Sequence, residues 1–173
     1  MKIGICGTQC IGKSTFTNDF IKQWPKYSKA ESSYKKAIRD GNLNINRNGD
    51  EDGQRAIRDA LADIVIETKE SHVIYDRCIL DNLVYSMHLN GAGKVSDEFV
   101  KETIAICKST LVFYDIIFFL PITKHSPVNI EKAEQRDINP EFRDEVDVLF
   151  KTLMSAYFQK STVLFPFDTK EGC

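Results

Sequence analysis

Eight residues near the start of the chain have the types and spacing for phosphate chemistry. Gly7-Thr8-Gln9-Cys10-Ile11-Gly12-Lys13-Ser14 fits G-x-x-x-x-G-K-[ST], and Thr15 follows it. Such a loop turns its backbone N–H groups inward as an anion-binding concavity, and the helix that follows adds a favourable dipole. Lys13 is placed to neutralise β- and γ-phosphates, and the Ser14 hydroxyl suits Mg²⁺. Gly7 and Gly12 permit a backbone approach that a Cβ would hinder. The flanks agree. Ile3-Gly4-Ile5-Cys6 reads as a short buried strand, and Phe16, Phe20, Ile21 and Trp24 recur at helical spacing over Ser14–Trp24.

Composition sets the frame for this loop. The 173 residues suffice for one domain with a proper core, and the apolar and charged fractions are those of an ordinary soluble protein. A formal charge of −2 argues against broad electrostatic capture of nucleic acid. No apolar run reaches membrane-spanning length, and the chain enters its first strand without a leader-like stretch. Five cysteines without a C-x-x-C pair point to reduced thiols and a cytoplasmic location. His72, His88 and His125 show no zinc-ligand spacing with cysteine.

The remaining elements must position the loop. After Pro25, Tyr27–Ser32 offers a short extended piece ending near Glu31, and a weak helical patch follows over Tyr34–Arg39. Residues 38–53, rich in Asn, Asp and Gly, read as a flexible loop on the substrate side. Gln54–Glu70 is the clearest helix, striped by Ile57, Ala60, Leu61, Ile64 and Val65. Gln54 and Arg58 stand near its start, where a side-chain amide or guanidinium would read a base or sugar, or simply cap a helix end. His72–Tyr75 is a second strand, followed by Asp76-Arg77. The next helix carries Leu80, Leu83, Val84 and Met87 inward, with Asp81, Tyr85 and His88 in a polar stripe beside them. Asp97–Leu111 forms another helix, with Val100, Ile104, Cys107 and Leu111 facing in. Tyr114–Leu120 is the next strand, and residues 122–138 are polar and irregular. Asn139-Pro140 signals a further helix, with Phe142, Val146, Leu149, Phe150, Leu153 and Tyr157 inward. Thr162–Phe167 is the last strand. Strands alternating with helices predict an α/β fold: a three-layer α/β/α sandwich on a five-stranded parallel sheet, with ligands at the strands' carboxyl ends.

The segment Asp76-Arg77-x-x-x-Asp81-x-x-x-Tyr85, together with the N-terminal loop, resembles the P-loop nucleoside and nucleotide kinases. The wording is similar to AAA-type, phage-encoded kinase-like proteins near the thymidylate kinase and ribosylnicotinamide kinase branches. Tyr114–Pro121 resembles their fourth strand, and 122–138 their lid. The resemblance implies ATP and Mg²⁺ as cofactors. Asp76 would orient the metal or act as base, and Arg77 would clamp the acceptor or the moving phosphoryl group. Glu31 falls where deoxynucleoside kinases carry a catalytic glutamate. Arg136, and less readily Arg143 on the face of the next helix, would be the lid arginine. Asp81 and Tyr85 would lie beside the substrate or cap a helix. Such kinases continue past the fifth strand with an adenine-contacting loop and a closing helix, so here either the chain is truncated or the adenine contacts come from elsewhere.

The expected activity is therefore transfer of the γ-phosphoryl group of ATP to a nucleoside or (deoxy)nucleoside monophosphate, with a homodimer compatible. A modified base hydroxyl in DNA, such as hydroxymethyluracil, is the second acceptor class. A non-catalytic ATP-binding module is the competing one.

Overall fold

The computed structural model describes residues 1–31, 33–41, 43–123, 139–157 and 162–164. Strand β1 (Lys2–Cys6) leads through the glycine loop into helix α1 (Lys13–Gln23). A two-residue strand β2 (Ser28–Lys29) and helix α2 (Ser33–Gly41) follow, then a 3-10 turn at Asn46–Asn48 and helix α3 (Glu51–Glu67). The chain continues with β3 (Val73–Asp76), α4 (Ile79–Gly91), α5 (Asp97–Leu111), β4 (Ile116–Phe119), α6 (Pro140–Tyr157) and β5 (Thr162–Leu164). The five strands form one sheet in the order β2-β3-β1-β4-β5, and every pairing is parallel.

Alternation along the strands sorts the two faces. Ile3, Ile5 and Ile74 pack with Phe118 against Phe16, Phe20 and Ile21 of α1. Cys6, Ile117 and Phe119 point the other way, into a core with α4 and α6 residues such as Leu80, Val84, Val146 and Phe150. Burial on both faces is what a parallel sheet between helical layers requires. The register then does the functional work: Ile5 pairs with Asp76 and Cys6 with Phe119, so Asp76 stands beside the strand end from which the loop emerges.

Several boundaries differ from the sequence expectation for identifiable reasons. Helix α3 begins at Glu51, because Asp50 caps it by accepting from the Gly53 N–H at 2.8 Å, and Glu51 and Asp52 add favourable charge to the first turn. It closes where the Lys2 ammonium donates to the carbonyls of Val65 (2.8 Å) and Thr68 (2.7 Å). Residues 38–53, expected as a loop, thus hold the end of α2, the 3-10 turn and the start of α3. Asn44 is tied to Asp50 at 3.0 Å, and the Gly49 N–H to the Asn46 carbonyl at 3.0 Å. Trp24 lies just past α1, is 46 % exposed, and covers Phe20 from outside at 4.6 Å between ring centroids. Helix α5 has the expected limits but turns Phe99, Thr103, Cys107 and Thr110 inward, leaving Val100, Ile104 and Leu111 half-buried. Helix α6 starts where Asn139-Pro140 placed it, with the Asn139 carboxamide oxygen accepting from the Phe142 N–H at 2.8 Å. Among the described residues, no helix is long and apolar enough to cross a membrane.

Candidate active site

The loop between β1 and α1 is held open by backbone conformation. Gly7 has φ +148° and Gly12 φ +94°, with Cys10 also left-handed at +55°. A Cβ on Gly7 would stand 2.6 Å from the Leu120 carbonyl oxygen, so that strand end tolerates no side chain. Thr8 and Gln9 are buried within the loop. The hydroxyls of Tyr85 (2.7 Å) and Thr8 (2.8 Å) both donate to the Gln9 carboxamide oxygen. Ile11 packs into the α1 face of the core, whereas Ser14 and Thr15 remain exposed on the first turn of α1.

Lys13 folds back over this loop, donating to the carbonyls of Gly7 and of Thr8 (2.7 Å), and its ammonium lies 3.6 Å from Asp81. Burial, reinforced by the Arg77 charge, lowers its pKa to about 8 against the pull of Asp81 and Asp76. The ammonium thus rests on carbonyl oxygens, acceptors of the kind that phosphate oxygens also present. Ser14 Oγ donates to Asp76 Oδ2 at 2.6 Å. The same oxygen lies 3.5 Å from Lys29 Nζ and 3.8 Å from Lys35 Nζ. Burial opposes ionisation of Asp76, but the Ser14 hydrogen bond and the Lys35, Lys29 and Lys13 charges hold its carboxyl below the ordinary carboxylate value.

Arg77 follows with φ +120°, a backbone conformation that side chains rarely adopt and that turns the chain sharply out of β3. Its guanidinium lies between the rings of Tyr34 (5.2 Å) and Tyr85 (5.7 Å), 3.9 Å from Asp81. Burial disfavours its charge, but the Tyr34, Tyr85 and Asp81 neighbours more than offset this and raise its pKa. Asp81 is 1 % exposed. One of its oxygens accepts from the Cys78 N–H at 3.0 Å, closing the first turn of α4, and the other has no hydrogen-bond partner among the described residues and faces Lys13 and Arg77. Burial dominates its titration and raises its pKa despite both cations. Burial also pushes the Tyr85 hydroxyl up to about 12.

These groups border two adjoining hollows. One, of about 230 Å³, runs along the loop from Gln9 to Thr15 and ends at Lys35, Asp76 and Arg77. The other, of about 50 Å³, continues past Arg77 and Tyr34 to Gln54, Asn82 and Tyr85. Ile45 and Asn46, from the 38–53 segment, line both. Asn82 donates to the backbone oxygen and the side-chain oxygen of Gln54, each at 2.9 Å, which fixes the orientation of that amide.

The structure brings Gly7–Thr15, Asp76, Arg77, Asp81, Tyr85 and Gln54 together. Glu31 is exposed at the rim, beside a crevice of about 10 Å³ shared with Asp76 and Arg77. Arg58 does not reach the cleft. It is buried against α5, bonded to Asp59 (2.8 Å) and Thr103 (3.5 Å), with its guanidinium over the Phe99 ring. The reason is helical phase: 54, 57 and 61 face the cleft, while 51, 55 and 58 face α5. Arg136 lies outside the described residues, as does most of 122–138. Arg143 instead touches the loop, its Nε donating to the Gln9 carbonyl at 3.2 Å. Sequence reasoning missed Tyr34, Lys29, Lys35, Asn46 and Asn82. Lys29 lies in a two-residue strand and Lys35 in the short helix after it, and Asn82 lies on a helix buried nearly all round, so no periodicity singled them out.

Comparisons place this architecture. No curated protein matches the chain by sequence. Among solved structures, deoxyadenosine kinase from M. mycoides with products dCMP and dCDP bound superposes with a TM-score of 0.73 at 15 % identity, covering 96 % of this chain and 90 % of that one. The same kinase with dATP bound gives 0.69 at 16 % identity over 99 % and 94 %. NadR protein in complex with NR gives 0.70 at 12 % identity, over 95 % of this chain. This chain spans only 45 % of NadR. At such identities the likeness is one of fold. The AAA domain model matches residues 2–166, nearly the whole sequence, and the chain belongs to that family.

Proposed function

We propose that the protein is a kinase that uses ATP and Mg²⁺ to phosphorylate a nucleoside or nucleoside monophosphate. The observation that carries this reading is the 2.6 Å contact between Ser14 and Asp76 at the mouth of the glycine loop, with a cleft leading from it past Arg77 to Gln54 and Asn82. A binding switch needs the loop but not a second, amide-lined hollow joined to it. The fold shared with deoxyadenosine kinase and NadR supports the same reading.

The residues present fit ATP and Mg²⁺. A loop that excludes a Cβ at Gly7, an ammonium resting on carbonyl oxygens and an adjoining hydroxyl–carboxylate pair suit a triphosphate with its metal. Ser14 and Asp76 would hold Mg²⁺, which when bound supplies charge that stabilises the transferring phosphoryl group. Lys13 would turn from the Gly7 and Thr8 carbonyls to phosphate oxygens, and Arg143 is anchored on the loop within reach of the same charge. Arg77, presented by its strained backbone and held between two aromatic rings, would orient the acceptor against the donor. Gln54, oriented by Asn82, would read the acceptor base. Arg136 is proposed as a lid arginine.

The test is transfer of label from γ-labelled ATP to a panel of nucleosides and nucleoside monophosphates. Lys13→Ala is expected to lower turnover at least ~100-fold, the scale for removing one preorganised charge-stabilising donor, with circular dichroism unchanged. Undiminished transfer by Lys13→Ala would remove the site from consideration.

A further inference from the structure

Three donors converge on a single oxygen of Asp76. Ser14 Oγ lies at 2.6 Å, Lys29 Nζ at 3.5 Å and Lys35 Nζ at 3.8 Å. The lysines come from the end of β2 and the first turn of α2. Lys35 also lines the larger hollow. Among the described residues neither lysine has a second carboxylate within 4 Å; Lys29 otherwise reaches only the Asn18 amide at 3.4 Å, and Lys35 lies over the Tyr34 ring. A divalent cation on Ser14 and Asp76 would repel two ammonium groups from that oxygen and leave both without an anion. Lys35 would then stand in the hollow that Arg77 also borders, with Lys29 approaching the same carboxylate oxygen from the Asn18 side.

Resting on the kinase reading above, we propose that Lys29 and Lys35, with Arg77, bind a phosphate monoester on the acceptor, so that the substrate is a nucleoside monophosphate rather than a free nucleoside. Both lysines lie within 4 Å of one oxygen, so one phosphate group can engage them together. The step balances without a base. An oxygen of the acceptor phosphate forms the new bond to the γ-phosphorus of ATP. The bond from that phosphorus to the β–γ bridging oxygen breaks, and its electron pair leaves with ADP. The attacking oxygen is already anionic near neutral pH, because the second phosphate pKa is about 6. The available carboxylates agree: Asp76, beside Ser14, would be committed to the cation, Asp81 is sealed under Lys13, and Glu31 is exposed at the rim.

Two arms test this. In the transfer assay, kcat/KM for monophosphates should exceed that for the matching nucleosides. The double variant Lys29→Gln/Lys35→Gln should raise the monophosphate KM about tenfold or more per lysine with the KM for ATP nearly unchanged, and Lys29→Arg/Lys35→Arg should restore much of the loss. Equal or better use of nucleosides overturns the assignment and leaves the kinase reading standing. In the second arm, nucleoside monophosphate binding is measured by calorimetry in chelator, without ATP. Asp76→Asn should tighten binding about tenfold by releasing the lysines, and the gain should vanish when both lysines are also glutamine. An absent gain, or one that survives loss of the lysines, overturns the assignment. Transfer to no acceptor at all defeats the kinase reading, and the binding arm still decides the phosphate site.

Discussion

The buried Lys13 makes nucleotide affinity depend on pH in a way that can be worked out in advance. In the free protein its pKa is about 8, because burial and the Arg77 charge disfavour the ammonium more than Asp81 and Asp76 favour it. Phosphate oxygens stabilise the charged form, so the bound-state pKa lies higher and binding above pH 8 takes up a proton. Below pH 8 the group is already charged and affinity is flat. Above it, each pH unit charges the site about 1.4 kcal/mol for protonation, so affinity at pH 9.5 should be roughly 30-fold weaker than at pH 7. Phosphate ionises near pH 6, Asp76 is held below the ordinary carboxylate value and burial pushes Tyr85 up to about 12, so none of these three titrates within the window. The assay is calorimetric titration with a non-hydrolysable ATP analogue and Mg²⁺ between pH 7 and 9.5, in two buffers of different ionisation enthalpy. Lys13→Arg, which stays charged throughout, should lose the dependence. A wild-type affinity that is flat from pH 8 to 9.5, without proton uptake, would refute the reasoning. The folded chain gives up the Lys13 proton before the unfolded one, so the contribution of Lys13 to stability rises between pH 8 and the unfolded value of 10.5.

Arg58→Ala should lower stability by about 1–3 kcal/mol, because it strips a buried guanidinium from Asp59, Thr103 and the Phe99 ring; thermal unfolding should record this while kcat/KM for the acceptor stays within about twofold, and an acceptor-specific loss would restore Arg58 to the site. Gly7→Ala and Gly12→Ala separate crowding from backbone strain. At Gly12 a Cβ meets nothing within 4 Å, so the variant should lose only the ~1–2 kcal/mol of left-handed strain. At Gly7 the same methyl group drives into the Leu120 carbonyl, so the loss in chemical denaturation should be larger, and equal losses would refute the assigned loop geometry.

Much of the fold was legible because local chemistry agreed with it. The glycine loop carries its own conformational requirement, Asn139-Pro140 caps a helix by itself, and Asp97–Leu111 holds a helical period throughout. Where the reading slipped, a neighbour had decided the outcome. Asp50 and the Lys2 ammonium moved both ends of α3, and packing of α5 against α3 and α4 buries Thr103 and Thr110 beside Ile104 and Leu111, which are half-buried against the same core. In α4, burial nearly all round erased the contrast that periodicity needs, so Asn82 went unnoticed and Asp81 and Tyr85 stood open between cap and site. The structure gives Asp81 both roles: it closes the turn through one oxygen and faces Lys13 and Arg77 with the other.

The sequence by itself determined the glycine loop, the alternating strands and helices, and the pairing of an acid with an arginine at a strand end. Each depends on residues within about ten positions of one another, where spacing alone fixes relative direction. Only the tertiary structure decided which distant groups share one oxygen. It set Ile5 against Asp76, brought Lys29 and Lys35 from a two-residue edge strand and a neighbouring helix onto that carboxylate, seated Arg143 on the Gln9 carbonyl, and turned Arg58 away. Those outcomes depend on sheet register and helix phase, which the packing of the whole chain sets and no local pattern encodes.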